Sequence, residues 1–348
     1  MKETKRKSKY SKIISSWGDE DFCRDFEKKI DLWLAQFEKT EQETMLLLLK
    51  NFTFYSEKRV RLSVTNMFKN FSENYPNWES EKTVFAHVQK DFGVGFSQLF
   101  ADAFWLSNNL YSHMEQNVCG LIENSQIPET LCVVDDYCGS GGTFKKFLNK
   151  LIGINSEIKQ SKIVLLVLHI TEIGKVSLLT YAKSQNIDLD IIDFENSKQV
   201  FENELIFSKR IAMYEKEKYQ EVCQRFNLKF DLGYKEIQSL VSFYYNTPNN
   251  TLGVFWEELD GFVNLFKRHK KMQTQLRDMQ NKARQNEHLM RQKPFINDVE
   301  EYQYNIFLVY CVAKGRAFSL LEACKDFGFT EQQLTETLKY LSDSGYIT

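Results

Sequence analysis

The sequence predicts an α/β fold, built as a parallel sheet with an N-terminal helical extension and a separate helical C-terminal segment. Three observations carry this. From residue 82 to 194, short apolar runs alternate with helically spaced segments, the pattern of βαβ units. One of these runs, "TLCVVDD" (130–136), stops at two adjacent acids and a glycine-rich turn. On either side of this region, apolar residues recur at three- and four-residue spacing.

In chain order, the first segment is basic: residues 1–12 hold six Lys/Arg against one Glu. Residues 16–75 read as helices, with Phe22, Phe26, Ile30, Leu34 and Phe37 on one face. "YPNW" (75–78) breaks that pattern, so 1–78 forms a basic tail and helical extension. The α/β region spans 79–260. "KTVFAHVQ" (82–89) reads as a strand, "DFGVG" as a turn and "FSQLFADAFWLSNNL" (96–110) as a helix. A helix and loop over 111–130 lead to the buried strand 130–136, the loop "YCGSGGT" and a helix over 144–153. A strand over 162–170, a further helix and a strand over 187–194 follow. Residues 195–260 are mixed, and "YYNTPNNTLGVFW" (244–256) carries the Pro and Asn cluster of a loop. Residues 261–295 read as a basic linker helix, because 267–293 hold nine Lys/Arg against two acids. In 296–348 three short helices precede "YIT", and the last opens on Thr330 with Gln333 at the capping-box position.

Composition narrows the classes. The 348 residues are 43% hydrophobic, with 28 Phe, 16 Tyr and 5 Trp, enough for a sizeable core. Only 15 Gly and 4 Pro argue against long disordered stretches. No apolar run approaches the ~18 residues of a membrane span, and the N-terminus has no apolar signal core, so a cytoplasmic protein is expected with no membrane partner. The seven cysteines form no CxxC pair, which fits reduced thiols better than disulfides or a zinc site. The basic tail and linker contrast with an acidic remainder. That contrast suggests nucleic-acid contact through Lys267, Arg268, Lys270, Lys271, Arg277, Lys282 and Arg284; a solvated linker helix is the plainer reading.

The stretch "CVVDDYCGSGGTFKKFL" (132–148) carries the chemistry. The strand's carboxyl end points into the crevice where α/β sheets bind ligands. Small residues and free backbone N–H groups at the start of a helix suit a phosphate, and Ser140 and Thr143 add hydroxyls. Asp135 and Asp136 would repel that phosphate and suit a ribose diol, or a cation bound with it. A sugar phosphate satisfies both halves. There is neither GxxxxGK[ST] nor GxGxxG with a distant acid, which sets aside the common nucleotide loops.

This stretch resembles the phosphoribosyl-pyrophosphate (PRPP) motif of type I phosphoribosyltransferases. "LCVV", Asp135-Asp136, "YCG" and Ser140-Gly141-Gly142-Thr143 follow it position by position. The resemblance implies that Asp135 and Asp136 hold the ribose hydroxyls, that Gly139 to Thr143 hold the 5′-phosphate, and that Mg²⁺ comes with PRPP rather than sitting in a protein-only site. It also implies a pyrophosphate loop at "QKDFGVGFS" (89–97), with Lys90, Gly93, Gly95 and Ser97, although no strict pattern is matched there. Purine-salvage members carry an Asp general base three residues after the second acid. Gly139 stands at that position, which argues against purine-base salvage. Cys138 is a conceivable nucleophile that such a family does not need.

Together with "GYKEIQSLVSFYYNTPNNTLGVFW" (233–256), the stretch resembles phosphoribosyltransferase-like domains of bacterial antiphage systems, some of them retron effectors. The C-terminal helices resemble a winged helix-turn-helix lacking its wing. In that group Asn246, Thr247, Asn249 and Asn250 would form a loop near the site, the plainer reading being an Asx/Pro turn. The resemblance implies a toxic effector whose partners are a retron reverse transcriptase and its RNA–DNA product (msDNA), with homo-oligomerisation through the complex. The alternative is a non-catalytic, PRPP-sensing DNA-binding regulator of the purine-repressor type. The helix over 330–343 carries Glu331, Glu336 and Asp343 against Lys339, a poor recognition surface for DNA.

Overall fold

The computed structural model describes residues 9–268 apart from 18–19, 80–81, 89–95, 111–112, 114 and 116, together with Thr335 and Lys339. The winged helix-turn-helix expected over 296–348 and most of the basic linker therefore lie outside the described residues.

The residues up to Arg268 belong to one compact unit. Its centre is a four-stranded, all-parallel sheet ordered β2 (Thr83–His87), β3 (Thr130–Cys138), β4 (Lys162–Thr171), β5 (Leu189–Ser197). Each strand pairs with the next along the chain, and the register sets Asp135 beside Val167 and Tyr137 beside His169. These are the four strands the sequence predicts. Strands β3 and β4 are buried almost throughout, and this explains their continuous apolar runs.

Helices cover both faces. On one face Leu131, Val133, Leu165 and Val167 pack with Phe144, Phe147 and Leu151 of α7 (Gly142–Ile154) and Leu178 of α8 (Glu172–Gln185). On the other, Cys132, Val134, Val164 and Leu166 pack with Val64, Met67 and Phe71 of α4 (Glu57–Asn74) and Phe100 and Phe104 of α5 (Phe96–Asn108). The short α6 (Val118–Glu123) precedes β3.

A second core is built from the two ends of the unit. Helices α1 (Ser11–Ser15), α2 (Glu20–Ala35) and α3 (Lys39–Lys50) pack on residues 200–266, including α9 (Lys209–Arg225). Trp33 stacks on Phe255 at 5.3 Å, and its Nε1–H donates to the Val254 carbonyl at 3.0 Å. Phe52 stacks on Phe266 at 4.4 Å. Here the all-helical expectation for 16–75 is corrected: β1 (Thr53–Tyr55) interrupts it and pairs in parallel with β6 (Val241–Phe243). Three residues are too few to show a period, and the partner lies far along the chain. Among the described residues, no helix is long and apolar enough to cross a membrane.

Candidate functional site

The site forms where β3 ends. The run of buried apolar residues carries Asp135 and Asp136 to the sheet's carboxyl edge, where they are 6% and 8% exposed. Asp135 Oδ1 accepts the Asp136 backbone N–H at 3.0 Å. Asp136 Oδ2 accepts the Tyr245 hydroxyl at 2.7 Å. Burial, followed by the adjacent Asp136 carboxylate, pushes the Tyr245 phenol well above its ordinary pKa. It therefore stays a donor at neutral pH.

The loop after the acids is held from behind by α8. The Thr171 hydroxyl caps that helix, accepting the Gly174 N–H at 3.0 Å, and donates to the Gly139 carbonyl at 2.6 Å. A β-carbon on Gly174 would collide with that same carbonyl, so the close approach needs glycine. Gly141 has φ +72° and is the N-cap of α7. The left-handed turn there lets the chain enter the helix with its first amides free, the arrangement that binds an anion. Ser140 is half-buried and Thr143 is exposed at the helix start.

Gly139 shows why the position of the purine-salvage base is filled differently. The Asn250 carboxamide occupies the space any side chain at 139 would need. Asn250 Nδ2 donates to the Tyr234 carbonyl at 2.8 Å. Of the 246–251 loop, then, the structure brings Asn250 against Gly139. Thr247 is fully buried and turned away: its hydroxyl meets Ser242 Oγ at 2.8 Å and donates to the Lys267 carbonyl at 2.9 Å. The Asn249 carbonyl accepts the Tyr234 N–H at 2.7 Å, and Asn246 bridges Phe243 through its backbone.

Cys138 is 5% exposed, and burial pushes its thiol up to about 12, so it is no nucleophile at neutral pH. Beside the loop, His169 is buried between the Tyr55 hydroxyl and Ser197 Oγ, both at 2.9 Å, and burial lowers its pKa to about 4. Its ring stacks on Tyr137 at 5.9 Å.

Lys235 is a residue the sequence does not single out. It reaches the loop from a turn with φ 58°, and its Nζ lies 3.4 Å from the point a Gly142 β-carbon would take. A lone lysine between "GY" and "EIQ" carries no motif, so only the fold reveals it.

The expected pyrophosphate-loop residues Lys90, Gly93 and Gly95 lie outside the described residues. Ser97 falls in the first turn of α5. Of the expected nucleic-acid contacts, Lys267 is exposed. Arg268 faces inward, donating to the Thr247 carbonyl at 2.5 Å and lying 5.2 Å over the Trp256 ring. Its burial lowers the guanidinium to about 10. Lys270, Lys271, Arg277, Lys282 and Arg284 lie outside the described residues.

Comparison with known proteins fits this geometry. The family model PRTase-CE matches residues 30–268, more than half of the chain, and the chain belongs to this phosphoribosyltransferase-like family. The match ends at the residue where the compact unit ends. No curated protein matches the chain.

Proposed function

From membership of this family, we propose that the chain binds PRPP or a related ribose phosphate and acts as the toxic effector of a retron-type antiphage system. The observation that carries the ligand reading is the pair of near-buried carboxylates followed immediately by a left-handed glycine and a free helix start. Asp135 and Asp136 hold the ribose 2′ and 3′ hydroxyls. The amides of 140–143 and the Ser140 and Thr143 hydroxyls hold the 5′-phosphate.

The two carboxylates supply hard oxygen donors that fit Mg²⁺ brought in with the pyrophosphate. Held there, Mg²⁺ would supply charge neutralisation for the leaving pyrophosphate. A transition state of oxocarbenium character asks mainly for positioning and charge stabilisation. Little is required of a base, and this agrees with an Asn250-covered glycine at 139. The acceptor is a group carried by nucleic acid, nucleotide or protein. In a retron-type assembly, the reverse transcriptase and its RNA–DNA product restrain the effector until infection disturbs the complex. The basic 267–293 segment supports a nucleic-acid contact there, and 296–348 supports a protein contact.

Incubation with PRPP and Mg²⁺, followed by pyrophosphate detection, tests catalysis. The double change Asp135→Asn, Asp136→Asn is expected to abolish both turnover and toxicity while the chain stays folded. Full toxicity in that variant would refute the role of the acids. Co-purification with a co-expressed retron reverse transcriptase tests the assembly. A chain that purifies alone, is harmless without its neighbours and binds one DNA sequence tightly is the repressor instead.

A further inference from the structure

Lys235 is carried by a turn of unusual backbone conformation. Lys235, Glu236 and Gln238 all have φ between 52° and 58°, and Gly233 has φ +74°. Non-glycine residues avoid that region because the β-carbon crowds the following carbonyl, so three such residues within 235–238, interrupted only by the right-handed Ile237, are strain that the surroundings must impose. The surroundings do impose it. The Tyr234 N–H donates to Asn249 O at 2.7 Å, and Asn250 Nδ2 donates to Tyr234 O. Gln199 Nε2 donates to Glu236 O at 2.8 Å, and the Gln238 side chain accepts the Phe201 N–H at 3.2 Å.

This effort places one cation. Lys235 is exposed, among the described residues no acid forms an ion pair with it, and its Nζ lies 5.8 Å from the Tyr234 ring centroid. Its Nζ and the Ser140 Oγ each lie 3.4 Å from the point a β-carbon on Gly142 would take. Two donors of different elements, far apart in the chain, thus converge on Gly142 at the start of α7.

We propose that Lys235 is the cationic binding residue for the ligand's phosphomonoester, held over the 140–143 loop by the strained 233–238 turn. The inference rests on the reading of that loop as a phosphate site and adds what sets its preference for a dianionic phosphate. Backbone amides and hydroxyls bind any oxyanion, whereas the ammonium adds a point charge whose contribution grows with ligand charge. Because the turn is also tied to Asn250, which covers Gly139, occupancy of the loop by phosphate steadies the segment beside Asp135 and Asp136.

Calorimetric titration of the full chain with ribose 5-phosphate, PRPP and inorganic pyrophosphate tests this, with Lys235→Gly as the main variant. Glycine accepts φ near +58° without strain, so Lys235→Gly removes the charge and keeps the turn. Its Tm is expected to hold or rise while its affinity for ribose 5-phosphate falls about tenfold, and Lys235→Arg should recover part of the loss. A merely structural lysine would give the reverse, altered Tm with unchanged affinity. If the wild type binds ribose 5-phosphate and Lys235→Gly binds it within about twofold, the Lys235 assignment falls and the phosphate-site reading stands. If Lys235→Gly weakens pyrophosphate alone, the lysine serves the other end of the ligand and the assignment also falls. If the wild type binds neither sugar phosphate, both fall.

Discussion

At the scale of single residues, the site depends on three side chains that touch no reacting atom. Tyr245 fixes Asp136 through a 2.7 Å hydrogen bond to a charged acceptor. Tyr245→Phe should therefore cost about 1.5–3 kcal/mol in urea unfolding and loosen the ribose end of the site. An unchanged midpoint would show that the bond contributes nothing. Asn250 fills the space over Gly139. Gly139→Ala is expected to cost roughly 1–3 kcal/mol through that overlap, and much less when Asn250→Ala is present. Equal costs in both backgrounds would contradict the contact. His169 is neutral, with a folded pKa of about 4 against an ordinary 6.5. Below pH 6.5 the unfolded chain takes up a proton that the folded chain refuses. The stability held above pH 6.5 is therefore lost progressively as pH falls towards 4, amounting to about 3 kcal/mol at the end of that window. A pH series of melting temperatures should show this slope in the wild type and a shallower one in His169→Gln.

At the scale of elements, the sequence reveals what repeats and hides what is short or distant. The strands from 83 to 197 are legible because burial on both faces forces unbroken apolar runs, and the glycine loop after β3 is legible because its spacing is local. Strands β1 and β6 are illegible: each has three residues, and each gains its hydrogen bonds from the other across most of the domain. The 233–238 turn is hidden for a related reason. Its left-handed residues are Lys, Glu and Gln, which local propensity would never assign there. The junction of β4 and α8 shows how an element end can serve the site from behind. Thr171 caps α8 and grips the Gly139 carbonyl with one hydroxyl. Thr171→Val should cost about 1–2 kcal/mol as a lost cap and should also weaken PRPP binding, although Thr171 meets no ligand. Loss of stability with intact binding would confine its role to the helix.

At the scale of the whole molecule, the question is which parts of the chain fold together. The N-terminal helices share a core with residues 200–266, through Trp33 on Phe255 and Phe52 on Phe266, and β1 completes β6. Helix α4 covers the sheet face formed by Cys132, Val134 and Val164. A chain beginning at residue 79 loses all of these partners, leaving Val241, Phe243, Phe255 and Phe266 without the side chains that bury them. Burial of such side chains supplies about 1.5–3 kcal/mol each, so four losses together, about 6–12 kcal/mol, are as large as the ~5–15 kcal/mol by which a domain is stable. That shortened chain should aggregate and show no cooperative unfolding transition. A sharp near-ultraviolet melting curve from it would separate the N-terminal helices from the fold. A chain ending at Arg268 should behave in the opposite way, because the compact unit ends there and Arg268 is anchored to Thr247 and Trp256. It should melt cooperatively and keep whatever affinity for PRPP the full chain has. It should also bind duplex nucleic acid with a flatter salt dependence, the slope of log affinity shrinking by roughly 0.9 for each phosphate contact removed with Lys270, Lys271, Arg277, Lys282 and Arg284. An identical slope in the two chains would move the nucleic-acid contact off the 267–293 segment and onto the domain itself.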